Sequence, residues 1–405
     1  MDTLLPDPKL PAHPPGWEFP TDPEKPKKDK YWLHALLFVV TLLTTTLSGA
    51  EWMVPGAYLL GENSRLTWSV FWQGLQFSLP FLGILTVHEF GHYGMARFYR
   101  IAVSLPFYIP LWLGFLPGAP SLGTLGAFIR IKEPVPTRRQ LFDIGAAGPL
   151  AGYVAILIVL AYGYTHLPPP EYIFTLHPEY KPFGLGYASQ VYEQFKGGGL
   201  LAVNSPLTSQ WLSALAPAGY LPNPYELMHY PYLFAAHIGL FFTALNLLPI
   251  GQLDGGHILY GMVGPKWHRI LSPTFFVGLV LYAGLDVPEP INLSHDSEMM
   301  AKLGNNLFYL GFLFLTFRRT APGVLNTLSL ALVVFAVQYG MSIFFPQVEG
   351  YGGWLVFSFV LGSFLGIYHP PVLIEEPIGT GRMVIGILSL LVFIISFSLA
   401  PLAVL

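Results

Sequence analysis

Long apolar stretches recur from residue 31 to the end of the chain, and they decide what it can fold into. A helix needs about 20 mostly apolar residues to cross a bilayer, because each backbone polar group must be satisfied within the segment. Candidate spans lie near 31–50, 67–98, 143–164, 231–262, 273–287, 303–317, 323–345, 353–369 and 383–404. Composition agrees: the chain is 53% hydrophobic and only 11% charged, against roughly 25% charged in soluble domains. The sequence predicts an all-α polytopic membrane protein with about nine transmembrane helices, and the lipid bilayer as its surroundings.

Basic residues orient the spans, since Lys and Arg gather on the cytosolic side. With the N-terminus in the cytosol of a prokaryotic plasma (inner) membrane, Lys25, Lys27, Lys28 and Lys30 sit at its edge. Arg97, Arg100, Arg130, Lys132, Arg138, Arg139, Lys266, Arg269, Arg318, Arg319 and Arg382 then share that side, while Arg65, Lys181, Lys196 and Lys302 fall outside. The basic residues are scattered in short clusters, so no nucleic-acid partner is expected. Cysteine is absent, which leaves nitrogen and oxygen atoms to hold any metal.

The chain divides accordingly. Residues 1–30 are polar and proline-rich and read as a disordered cytosolic tail. Residues 31–66 supply a first helix and an external loop, 67–265 carry the motifs, and 266–405 add further helices.

Residues 101–129 are apolar yet bracketed by basic clusters on one side. A helical hairpin would need about 40 residues to cross and return, and Pro106, Pro110, Pro117 and Pro120 forbid a clean helix. A re-entrant, β-hairpin-like loop fits better. Such backbone survives at membrane depth only when packed on protein or lining a wet cavity. Residues 165–230 read as an external loop with short interfacial helices. Gly184-Leu185-Gly186 within them resembles the carboxylate-binding loop of PDZ domains, but the segment is too short and too proline-broken for that domain.

Near the cytosolic end of the second span stands His88-Glu89-Phe90-Gly91-His92. Positions i and i+4 share one helix face, so both imidazoles can reach one metal ion while Glu89 stands beside its open position. Leu85, Val87 and Phe90 leave no other polar face, and ionisable groups inside a membrane helix are expensive and usually functional. A catalytic zinc takes three protein ligands and a water, so a third ligand must come from another helix. Asp143 and Asp254 are the carboxylates to consider. Asp143 opens an apolar helix, where capping explains it. Asp254 follows Pro249 and Gly251 and precedes Gly255 and Gly256, where the interrupted helix can approach a neighbour closely; it is the better ligand. His257 could be a fourth ligand, although a packing role is preferred. His34 and His237 read as histidines satisfied within the bundle. Gly148 and Gly152 form a small-xxx-small step that brings the third helix against the one bearing His88 and His92.

These motifs resemble the site-2 protease family of intramembrane metalloproteases, in the branch without a PDZ domain. The resemblance rests on His88-Glu89-x-x-His92, on Gly145-Ala-Ala-Gly-Pro149 and on Asn246-Leu-Leu-Pro-Ile-Gly-Gln-Leu-Asp254-Gly, and covers roughly residues 67–265. It implies a zinc ion (Zn2+) held by His88, His92 and Asp254, with Glu89 as the catalytic carboxylate. It implies a role for Asn246 in positioning substrate or the oxyanion, and a membrane-anchored protein as substrate. Two other classes compete. A transporter or metal-handling protein would show internal repeats and several broken polar helices, and no repeat is visible. An inactive, receptor-like family member would be expected to lose Glu89 first.

Overall fold

Polar side chains on the first helix explain how the N-terminal half assembles. The computed structural model describes residues 29–60, 64–115, 121–194, 201–291 and 298–404. The expected tail lies outside them up to residue 28; Asp29, also assigned to it, instead pairs with Lys132 at 2.8 Å. Helix α1 (Tyr31–Met53) is apolar but carries a run of hydroxyls. Thr45 and Thr46 donate to the carbonyls of Thr41 and Leu42, both at 2.7 Å, so neither is left wanting. The Thr46 hydroxyl also meets Ser78 of helix α2 (Leu75–Phe98) at 2.9 Å.

The loop after α2 forms an antiparallel hairpin of β1 (Phe107–Leu111) and β2 (Gly123–Phe128). Phe107 faces Phe128 and Tyr108 faces Ala127, then the register slips before Pro110 meets Thr124. Proline has no N–H for the ladder, and a bulge is where a sheet tolerates it. Thr124 closes the slip by donating to Ile109 C=O at 2.8 Å and accepting the Gly126 N–H at 3.0 Å. The hairpin lies along α1. At one end the His34 ring bonds Pro106 C=O at 3.0 Å; at the other Trp52 donates to Ser121 C=O at 2.6 Å. A side chain at Gly123 would meet the α1 backbone at 2.4 Å, and its φ of 78° also suits glycine.

Helix α3 (Arg138–Thr165) follows, and then the polar segment of short helical turns that ends in α4 (Pro231–Leu247). Among the described residues this segment holds one short strand, β3 (Leu201–Val203), paired with β4 (Leu402–Val404) at the chain's end. The expected single span over 231–262 is split. Helix α4 stops at Leu247, residues 248–253 turn, and α5 (Asp254–Ala283) opens on Asp254. Pro249 cannot continue the hydrogen-bond ladder, and Gly251 has a φ of 57°. The freed Gly251 N–H is satisfied by Ser272 at 2.8 Å. Helix α5 bends at Gly264, ahead of Pro265, and Arg138 donates to the carbonyls exposed there, Gly261 at 2.9 Å and Met262 at 3.1 Å. The expected span at 273–287 is thus the second half of α5.

Helices α6 (Met299–Phe317), α7 (Val324–Phe344), α8 (Gly353–Val360) and α9 (Thr380–Ser396) complete the bundle. Among the described residues, four helices have the length and hydropathy to cross a membrane: α1, Trp68–Phe98, α3 and α7. Three apolar helices are shorter, Pro231–Leu247, Gly353–Leu365 and Thr380–Ser396. The described residues are therefore mostly helical and apolar, with four helices of full spanning length and three shorter apolar ones.

Among the described residues, the two largest of five apolar clusters hold the bundle together. One gathers Phe77, Phe81, Ile156, Leu233 and Phe234, the other Phe276, Leu313, Phe317, Val334 and Trp354. The outward faces are also apolar: Val154 and Ile158 on α3, Val333 on α7 and Ile387 on α9 are all exposed. Outward apolar side chains on helices of this length suit contact with lipid.

Candidate metal centre

His88 and His92 project from one face of α2, and their Nε2 atoms lie 3.1 Å apart. The first residue of α5 completes a triangle, with Asp254 Oδ2 at 3.4 Å from His88 Nε2 and 3.2 Å from His92 Nε2. A tetrahedral zinc with bonds of about 2.0–2.1 Å sets neighbouring ligand atoms about 3.3 Å apart. The three separations bracket that value. Both histidines are buried, and three atoms with lone pairs face one another, an arrangement that calls for a cation between them. The other nitrogen of His92 donates to Ile144 C=O at 2.7 Å, which leaves its Nε2 lone pair aimed into the triangle.

Glu89 is buried beside the triangle, with Oε1 3.9 Å from His88 Nε2, and lines the same cavity as Ile129. The Asn246 amide nitrogen lies 3.3 Å from His88 Nε2. The cavity over these groups is also walled by Ala127 and Phe128 at the end of β2. All five singled-out residues, His88, Glu89, His92, Asn246 and Asp254, therefore line one cavity.

The step of small residues on α3 explains how the helices come so close. An added Cβ at Gly148 would stand 2.0 Å from His92 Nε2, and one at Gly152 would stand 3.1 Å from the Cβ of His88. On the other side of the contact, a Cβ at Gly91 would meet Ala147 C=O at 2.5 Å. The expected pairing of the third helix with the histidine helix holds, and its surface is the back wall of the triangle.

His257 does not join the triangle. Its Nδ1 pairs with His369 Nε2 at 2.8 Å, a packing and positioning role. His34 and His237 are satisfied within the bundle, the latter by Leu233 C=O at 2.8 Å and Ser209 at 2.8 Å. The reading of Asp143 needs correction. Helix α3 is capped by Thr137, whose hydroxyl accepts the Gln140 N–H at 3.2 Å. Asp143 lies further along and forms a two-pronged pair with Arg382, Nε to Oδ1 and Nη2 to Oδ2 both at 2.8 Å, while the Tyr99 hydroxyl also donates to it. It ties α2, α3 and α9 together.

Sequence reasoning missed a second grouping of this kind, His177, Glu226 and His229 in the polar segment. Glu226-x-x-His229 on its own was too sparse a signal, with the third member 49 residues upstream by numbering.

The model of Peptidase family M50 matches residues 76–285, just over half of the chain. "Probable zinc metalloprotease EGY2, chloroplastic" of Oryza sativa subsp. indica is 29% identical over 253 residues, covering 62% of this chain and 39% of the relative. The protein of the same printed name from Arabidopsis thaliana is 31% identical over 196 residues, covering 48% of this chain and 29% of the relative. "Probable zinc metalloprotease EGY1, chloroplastic" of Oryza sativa subsp. japonica is 30% identical over 202 residues, or 47% and 30%. The chain thus matches well under half the length of these curated relatives. Their printed location does not fit the expected prokaryotic plasma membrane. No solved structure matches.

Proposed function

Because the chain belongs to peptidase family M50, we propose that it is an intramembrane zinc metalloprotease that hydrolyses peptide bonds of membrane-anchored proteins. The observation that carries this reading is the triangle of His88, His92 and Asp254 at tetrahedral ligand separations, with Glu89 beside it and apolar helices around it. Neither a transporter nor an inactive receptor-like protein is favoured by that arrangement, since Glu89 is present and the ionisable groups converge on one centre. The catalytic core is assigned to residues 67–265, with 266–405 flanking it.

His88, His92 and Asp254 hold the zinc, which when bound supplies a Lewis acid and water acidic enough to react near neutral pH. Glu89 accepts a proton from the attacking water and later delivers it to the leaving amine nitrogen. Asn246 is assigned the oxyanion, its amide N–H donating to the carbonyl oxygen of the bond being cut; its place 3.3 Å from His88 Nε2, in the wall of the same cavity, supports this. The test is direct. Full-length protein in lipid nanodiscs should cut a single-span reporter inside or beside its apolar segment, with the position read by mass spectrometry. Cleavage confined to soluble, unfolded protein would exclude an intramembrane role.

The hairpin of β1 and β2 is assigned to substrate binding, re-entering the membrane beside α2. A membrane helix must unwind before it is cut, and its freed backbone groups need partners; strand addition supplies them. Ala127 and Phe128 line the cavity with Glu89, which supports β2 as the receiving strand. Ala127→Pro should therefore slow cleavage of a membrane substrate at least about tenfold while zinc content stays at the wild-type level. Leu125→Ala, at an exposed position, should cost less. Thr124→Pro is a poorer probe, because Thr124 itself closes the register slip. Normal cleavage by Ala127→Pro would remove β2 from substrate binding.

The positive-inside pattern supports a common side for the N-terminus and residues 266–269, with the polar segment opposite. Protease-accessible tags at the N-terminus, near residue 268 and near residue 190 should report the first two together and the third across the membrane. A shared side for all three would overturn this topology.

A further inference from the structure

Away from the catalytic triangle, the polar segment brings a second set of metal-binding side chains together. His177 Nε2 lies 3.2 Å from His229 Nε2. Glu226 Oε2 lies 3.2 Å from His229 Nε2 and 3.6 Å from His177 Nε2. These separations bracket the edge of about 3.3 Å expected for a tetrahedral zinc site, as those of the first triangle do.

The surroundings orient all three groups. His229 Nδ1 donates to Met53 C=O at 2.8 Å, and His177 Nδ1 donates to the Glu179 carboxylate at 2.8 Å. With each Nδ1 carrying the proton, both Nε2 lone pairs point inward; such outer hydrogen bonds are what fixes the tautomer of metal-bound histidine. The other oxygen of Glu226 accepts the Tyr192 hydroxyl at 2.6 Å, so Oε2 is turned toward the imidazoles. Tyr180 stacks on the His177 ring, centroids 4.5 Å apart and nearly parallel, and holds its plane. Glu226 and His229 are buried, their side chains 4% and 7% exposed, and His177 is 16% exposed. Burying a carboxylate and two inward-facing lone pairs without a cation is costly.

The geometry points to a second metal site, in which His177, Glu226 and His229 bind a divalent cation of the zinc class and clamp the polar segment to the end of α1. Two nitrogen donors and one carboxylate oxygen suit zinc among the common divalent ions. The site is distinct from the triangle on α2. His229 is anchored on Met53, the last residue of α1. The catalytic cavity lies toward the other end, where Phe107, paired with Phe128, makes a tilted ring contact with His34, centroids 4.1 Å apart.

The test counts metal in full-length protein purified in detergent and equilibrated with micromolar zinc. His88→Ala/His92→Ala removes the first centre, so zinc left in that background reports the second site alone and does not depend on the protease reading. One zinc per chain is expected there. Adding His177→Ala or Glu226→Gln should abolish it; the latter keeps an oxygen for Tyr192 and guards against simple misfolding. Glu179→Gln should weaken zinc binding about 10–100-fold, the usual cost of losing the partner behind a ligand. Two results overturn the proposal: no zinc in the background variant while it remains monodisperse, meaning the cluster holds a shared proton only, or zinc that survives both His177→Ala and Glu226→Gln.

Discussion

Glu89→Gln should keep one zinc in the catalytic triangle and lose at least 10²–10⁴-fold in cleavage rate, the range associated with a positioned acid–base group. The two halves of that expectation come from different distances. Glu89 Oε1 stands 3.9 Å from His88 Nε2 and outside the trio of ligand atoms, so a neutral amide of the same shape leaves the metal's partners in place. The same substitution removes the group proposed to take a proton from water, and among the described residues the other carboxylate lining the cavity is Asp254, the proposed metal ligand. Single-turnover cleavage of a transmembrane reporter, run beside elemental analysis of the same preparation, separates chemistry from binding. A wild-type rate would take Glu89 out of the mechanism. Loss of zinc would make it a ligand and displace Asp254 from that role.

The sequence carried the centre further than it carried the fold, for a physical reason. His88 and His92 are one helical turn apart, so local geometry alone predicts their meeting. Asp254 could be picked out because few carboxylates lie in apolar segments, and Gly148 and Gly152 because small residues mark close helix contacts. Helix boundaries were harder. The 231–262 segment reads as one apolar run, and its division rests on a turn stabilised by Ser272 from further along the chain. Asp143 reads as a cap because its partner, Arg382, is 239 residues away and nothing local announces it. The His257–His369 pair and the His177–Glu226–His229 cluster were invisible for the same reason: their members share no period, and tertiary packing alone brings them together.

Gly148→Ala should empty the catalytic centre and abolish cleavage, although Gly148 is neither ligand nor acid. The added methyl carbon would lie 2.0 Å from His92 Nε2, far inside any real contact, and it belongs to a helix backbone that is pinned. Helix α3 cannot withdraw freely, because Ala147 C=O lies against Gly91 and Arg138 at its start is bonded to the carbonyls at the bend of α5. His92 is the part with freedom to move, and moving it breaks both its bond to Ile144 C=O and its place 3.2 Å from Asp254. A metal site held by three protein ligands does not survive the loss of one at ordinary zinc concentrations. Gly83→Ala and Gly94→Ala are the matched controls. Both lie on α2, an added Cβ at either meets nothing within 4 Å, and alanine favours helix over glycine by roughly 0.5–1 kcal/mol. Those two variants should keep the zinc of the catalytic centre and activity, and Asp254→Ala should lose both, as Gly148→Ala should. Full zinc occupancy in Gly148→Ala would mean that α3 gives way rather than His92, and that the small-residue step sets helix spacing without holding the ligand.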